Sequence, residues 1–204
     1  MGSVITGVVL ADDGGCSSAF VIVEEREPDG QAGGDATYEV THVEDLPAGT
    51  SYPVVARRVA DARRDVQRRR VVTQPGGIYV NAPAAGPEII DVFRALDLDA
   101  TYVAIDGKDG GADDGADDVI ATRMGTLVDR FQALLHARRI DLSPRDGGGD
   151  GDALADELAA VEVVVTGAGG ITYRHTGAVV IALWLAVQNA PATPVARRRI
   201  VGEG

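Results

Sequence analysis

Residues 77–106, GIYVNAPAAGPEIIDVFRALDLDATYVAID, change periodicity twice and thereby set the fold class. Gly77 to Asn81 is a short buried strand, 82–86 is a turn carrying proline and glycine, and from Pro87 to about Leu96 the residues Ile89, Ile90, Phe93 and Leu96 recur at helical spacing. Thr101 to Asp106 then returns to β character. Strand, glycine-bearing turn and helix make a crossover unit, which places a helix against a sheet rather than a sheet against a sheet.

Upstream, Ser3 to Ala11 is a nearly continuous apolar run, broken by Asp12-Asp13-Gly14-Gly15 and followed by a second β-rich run, Ala19 to Glu24. This pattern reads as a hairpin. After a polar turn over Pro28 to Asp35, Thr37 to Val43 alternates, with Tyr38, Val40 and His42 expected on one face and Glu39, Thr41 and Val43 on the other. Pro53 to about Arg70 repeats Val55, Val59, Ala62 and Val66 at helical spacing, with proline suited to the first turn. Arg57, Arg58, Arg64, Arg68 and Arg69 alternate there with Asp61 and Asp65, which reads as a solvated, salt-bridged face.

Downstream, Gly107 to Asp118 is a glycine and aspartate run too poor in apolar residues to pack. Leu127 to Ala137 is a helix, Ile140 to Leu142 a short extended piece, Ala153 to Ala160 a helix, Val161 to Thr166 a strand, Ile171 to Arg174 a further extended piece, and Gly177 to Gln188 a largely apolar helix with Trp184 in the core. The order predicts an α/β fold, a mixed sheet of three antiparallel strands and then helix-connected strands, flanked by helices. Residues 1–189 are expected to form a single domain, and 190–204, with Arg197, Arg198 and Arg199, a flexible basic tail.

Composition narrows the function. With 31 acidic against 19 basic residues and a net charge of −12, the surface as a whole is unsuited to gripping DNA at ordinary salt. Lys108 is the only lysine and Cys16 the only cysteine, so neither an internal disulfide nor a cysteine-based zinc site is available. The apolar stretch Ala178 to Val187 is half the roughly 20 residues a membrane span needs. The opening residues lack a basic n-region, so they read as strand and the expected location is cytoplasmic.

Several segments, taken in order, resemble the nuclease domain of phage terminase large subunits, within the ribonuclease H-like superfamily. Gly7-Val8-Val9-Leu10-Ala11 stands where the family pattern has G-V-D-L-A, and Val80-Asn81-Ala82-Pro83-Ala84-Ala85-Gly86 where it has V-D-A-x-G-x-G. A leucine-rich helix follows over Leu127 to Leu135, then Arg139-Ile140-Asp141-Leu142 for R-I-x-L, then Leu154 to Leu158 for L-x-x-E-L. Residues from His175 to Ala186 correspond to a final H-D-D-x-V-x-A-L-x-L-A helix. The resemblance spans most of residues 4 to 188 and implies a two-metal nuclease acting on double-stranded DNA alongside packaging proteins.

The departures fall on the chemistry. The metal-binding acids of the family map onto Val9, Asn81 and Thr176 or Gly177, none of which is a carboxylate. Valine cannot ligate a metal, and asparagine offers only a neutral carbonyl. The expectation is a degenerate terminase nuclease-like domain, catalytically inactive, needing no cofactor and acting as a DNA-packaging or protein-interaction module. The competing expectation is an active Mg- or Mn-dependent endonuclease built on relocated acids, with Asp12, Asp13 and Asp106 as candidates, since Asp12 and Asp13 lie just beyond the first strand and Asp106 ends the fifth, where the carboxyl ends of neighbouring strands converge. His175 occupies a family position but also suits a helix cap, and Arg197 to Arg199 are candidates for nucleic-acid contact. A phosphate loop over Asp13 to Ser18 would require an actin-like pair of domains, for which the chain is too short. No Walker-type G-x-x-x-x-G-K-[ST] occurs, so any packaging ATPase would be a separate polypeptide.

Overall fold

The first apolar run forms strand β1 (Gly2–Val9), and its neighbours follow the expected order in a computed structural model that describes residues 2–11, 16–27, 35–69, 74–81, 87–105, 119–143, 151–165 and 171–189. The remaining elements are β2 (Ser18–Arg26), β3 (Thr37–Leu46), α1 (Tyr52–Arg69), β4 (Gln74–Asn81), α2 (Pro87–Arg94), β5 (Ala100–Ile105), β6 (Val119–Thr122), α3 (Met124–His136), β7 (Ile140–Asp141), α4 (Gly151–Ala160), β8 (Glu162–Val165), β9 (Ile171–Arg174) and α5 (Ala178–Ala186). A seven-stranded sheet has the order β6-β5-β4-β1-β2-β3-β7. The β1–β2 and β2–β3 pairs are antiparallel, while β1–β4, β4–β5, β5–β6 and β3–β7 are parallel. The fold class is therefore mixed α/β, with the crossover over 77–106 delivering β5 beside β4.

Helices cover both faces. One core packs α1 and α2 onto Val8, Leu10, Phe20, Ile22, Val80 and Tyr102. The other packs α3, α4 and α5 onto Val9, Val21, Val23, Val40 and Val103. Helix α5, AVVIALWLA, is apolar all round because it lies between the sheet and α3 and α4, leaving it no solvent face. Trp184 is buried there against Phe131 and Tyr173. Fully buried leucines and valines such as Val179 and Leu183 contribute about 1.5–3 kcal/mol apiece.

The structure corrects the sequence reading of β3. Val40 pairs with Val23 and His42 with Ile22, so Thr41 is an extra residue with no partner across the ladder. Its Oγ1 instead donates to the Ile22 carbonyl at 3.1 Å. Past this bulge the faces exchange: Val43 joins Tyr38 and Val40 in the core under α5, and His42 turns to the other side to stack on Phe20 with centroids 5.4 Å apart. Strict alternation cannot carry an inserted residue. Strand β6 is also new, a four-residue edge strand following the acidic run. Strands β8 and β9 pair only with each other, outside the main sheet.

The outer face of α1 is as expected, with Arg64–Asp61 at 3.0 Å and Arg68–Asp65 at 3.3 Å, both exposed, and Arg58 reaching Glu44 at 2.7 Å. Among the described residues no helix is long and apolar enough to cross a membrane. The run over 107–118 and the tail 190–204 lie outside the described residues, as does Asp106.

Candidate functional site at the ends of β1 and β4

Gly7 sets how closely α5 approaches β1. A Cβ at this position would lie 1.8 Å from the Ala182 carbonyl oxygen and 2.8 Å from the Ala186 nitrogen, so only glycine allows the helix backbone to rest on the strand. Gly7 and Val9 share the face beneath α5, and the parallel pairing puts Val9 directly beside Asn81. The ladder stays regular to its end, with the Leu10 N–H donating to the Asn81 carbonyl at 3.1 Å. The first two positions at which the resemblance calls for acids are thus neighbours at the carboxyl ends of adjacent parallel strands.

The same row continues sideways as Asp45–Ala19–Val9–Asn81–Val103. Side chains in one row of a ladder share a face. Val9 is buried and contributes to the core, and Asn81 is half-buried and offers one neutral carbonyl oxygen. The one carboxylate in the row, Asp45, stands two strand spacings from Val9, roughly 10 Å away. Two metal ions about 4 Å apart need acidic ligands between and around them, and an acid at that remove cannot replace one at Val9.

The third position belongs to the start of α5. Gly177 is the N-cap residue and has no side chain to cap with. The acceptor comes from α4: Glu157 Oε2 accepts the Val180 N–H at 3.0 Å, and the Val179 N–H lies near enough to act on the same carboxylate. Glu157 fills the space beside Gly177 so closely that a Cβ there would lie 2.1 Å from its Cδ. Burial raises the Glu157 carboxyl above its ordinary value, the two backbone N–H groups pull it back, and the Asp45 charge raises it further. Thr176 Oγ1 is buried without a hydrogen-bond partner among the described residues.

The remaining sequence candidates are dispersed. His175 adopts a left-handed φ of 57° at the entry to α5 and lies exposed, its Nε2 3.8 Å from Glu162. Cys16 is exposed with a free thiol. Asp12, Asp13 and Asp106, and Arg197 to Arg199, lie outside the described residues. Glu157 and Asp45 are additions that the structure makes. Glu157 is the glutamate of the L-x-x-E-L stretch, but its role as a cap follows only from where α5 starts. Among the described residues no group of three or more His, Cys, Asp or Glu side chains is arranged to hold a metal. Valine, a neutral amide and a carboxylate already engaged by backbone N–H groups do not fit a pair of divalent ions.

The antiparallel hairpin, the strand–helix–strand crossovers and the buried final helix together make a fold that solved structures share. No protein-family model and no curated protein sequence matches this chain. Among solved structures it is similar to the large terminase nuclease from thermophilic phage G20c, with a TM-score of 0.55 and 13% identity over 93% of this chain and 83% of that one. The magnesium-bound form of that nuclease gives 0.54 and 13% over 91% and 80%. The human cytomegalovirus terminase nuclease domain, soaked with manganese, gives 0.57 and 10% over 93% and 82%. The chain is a terminase nuclease-like domain in fold.

Proposed function

We propose that this chain is a degenerate terminase nuclease-like domain that does not cleave DNA and serves DNA packaging or protein interaction as a scaffold. The observation that carries the reading is the side-by-side placement of Val9 and Asn81, where the resemblance calls for two metal-binding acids. Glu157 adds to it, because the carboxylate nearest the third position is committed to the first turn of α5. On this reading the domain retains the shape of a nuclease without the charge that would hold its ions, and its partners are double-stranded DNA or packaging proteins.

Cleavage of supercoiled plasmid across a magnesium and manganese titration tests this, run beside a variant with Asp12→Asn, Asp13→Asn and Asp106→Asn. The expected result is no nicking by either protein. Metal-dependent nicking that the variant loses would establish a relocated active site and overturn the proposal.

A further inference from the structure

On the opposite face of the sheet, Arg63, Arg64 and Gln67 of α1 border a cleft of about 480 Å³, with Arg64 already paired to Asp61 at 3.0 Å. Its floor is Gly76 to Ile78 of β4, and its far wall is the turn from Leu96 to Asp99 after α2. That volume lies within the range of about 300–1,000 Å³ typical of small-molecule sites. Arg63 is only 6% exposed, yet it is a cation. Its Nη1 donates to the Val4 carbonyl at 3.2 Å and to Thr6 Oγ1 at 2.6 Å, and its Nη2 to the Gly76 carbonyl at 2.9 Å. A guanidinium carries five N–H donors. Three are used here, all on neutral oxygens, and among the described residues no carboxylate pairs with Arg63. Burial pushes its pKa down to about 10, which still leaves it a cation at neutral pH.

The far wall carries the opposite charge. Asp97 and Asp99 are exposed, and among the described residues neither has an ion-pair partner. Asp97 holds a left-handed φ of 55°, a conformation that Asp and Asn tolerate better than most residues. A simple anion entering to meet Arg63 would face two carboxylates, and a simple amine drawn to the carboxylates would face the guanidinium. A ligand carrying both charges complements both walls.

We propose that the cleft between α1 and the α2–β5 turn binds a small zwitterion, its carboxylate on the uncommitted N–H groups of Arg63 and its ammonium between Asp97 and Asp99. The site lies on the face of the sheet away from Val9 and Asn81 and is independent of the nuclease-like reading.

Isothermal titration of the full chain with glycine, β-alanine and γ-aminobutyrate, beside acetate and ethylamine, tests the proposal. At least one amino acid is expected to bind at least about tenfold more tightly than either single-charge control, a difference of about 1.4 kcal/mol. Asp97→Asn with Asp99→Asn should abolish that preference, and because both side chains are exposed this variant should keep the wild-type unfolding midpoint. Arg63→Gln should lose binding of the amino acid. Its fold is checked by thermal unfolding, and the aspartate variant decides if it unfolds. No preference over acetate and ethylamine, or a preference unchanged in the aspartate variant, overturns the assignment.

Discussion

The two ends of β1 treat charge in opposite ways. Near Val4 and Thr6 the chain buries a guanidinium; near Val9, where the resemblance calls for an acid, it places a valine. At the first end the parallel register of β1 on β4 slips between Val4 and Thr6, and Arg63 takes up the Val4 and Gly76 carbonyls that the slip frees. At the second end the ladder runs regularly to Leu10, so the backbone asks for no polar side chain. An acid at position 9 would therefore serve chemistry rather than structure. On the proposed function, the valine at position 9 marks a lost metal ligand rather than a requirement of packing.

Four substitutions test the contrast between the two ends of β1 and the helix that covers them. The largest effect is expected at Gly7→Ala, where the new Cβ meets α5 backbone rather than a movable side chain. Overpacking of this kind should cost at least about 3 kcal/mol in chemical denaturation. A near-neutral result would mean that α5 does not rest on β1 as described. Next comes Arg63→Met, which keeps the packing of the stem but strands the Val4 and Gly76 carbonyls; a loss of about 2–3 kcal/mol is expected. If that variant proved as stable as wild type, the register slip would need no guanidinium, and the contrast between the two ends of β1 would lose its basis.

Glu157→Ala removes the cap of α5 and should cost about 1 kcal/mol by urea unfolding. Glu157→Gln is the smallest and most diagnostic change, since its carbonyl oxygen can still accept the Val180 N–H. The folded-state pKa of Glu157 is raised, so the folded chain holds that proton more firmly than the unfolded chain. Its contribution to stability is then fully present below the ordinary carboxylate value and lost as pH rises through the raised one. Wild type and Glu157→Gln should unfold at matching urea midpoints in acid, with the glutamine variant gaining above that range. A gap that opened the other way would show that the carboxylate is stabilised, not strained, at the α5 start.

Much of the fold is legible in the sequence because its elements carry strong periodic signals. The crossover over 77–106 announces itself through Ile89, Ile90, Phe93 and Leu96, and the Arg64–Asp61 and Arg68–Asp65 pairs follow from spacing alone. The burial of Arg63 has a signal too: it falls four residues after Val59 and three before Val66, on the apolar stripe rather than the charged face. The Thr41 bulge has none, since a single inserted residue leaves the local alternation intact on either side. The site divides in the same way. Val9 and Asn81 are found by motif order, and their adjacency is the register of β1 on β4. Glu157 acquires its role from the approach of α5, a contact set by Gly7 far away in sequence.

Whether the ends of β1 and β4 have lost their metal site is tested most directly by manganese binding, measured by isothermal titration on the wild-type chain and on Val9→Asp with Asn81→Asp. No binding to the wild type is expected in the micromolar range, whereas the double variant should bind, with manganese also raising its unfolding temperature by relieving two adjacent carboxylates. Stoichiometric micromolar binding by the wild-type chain would contradict that loss.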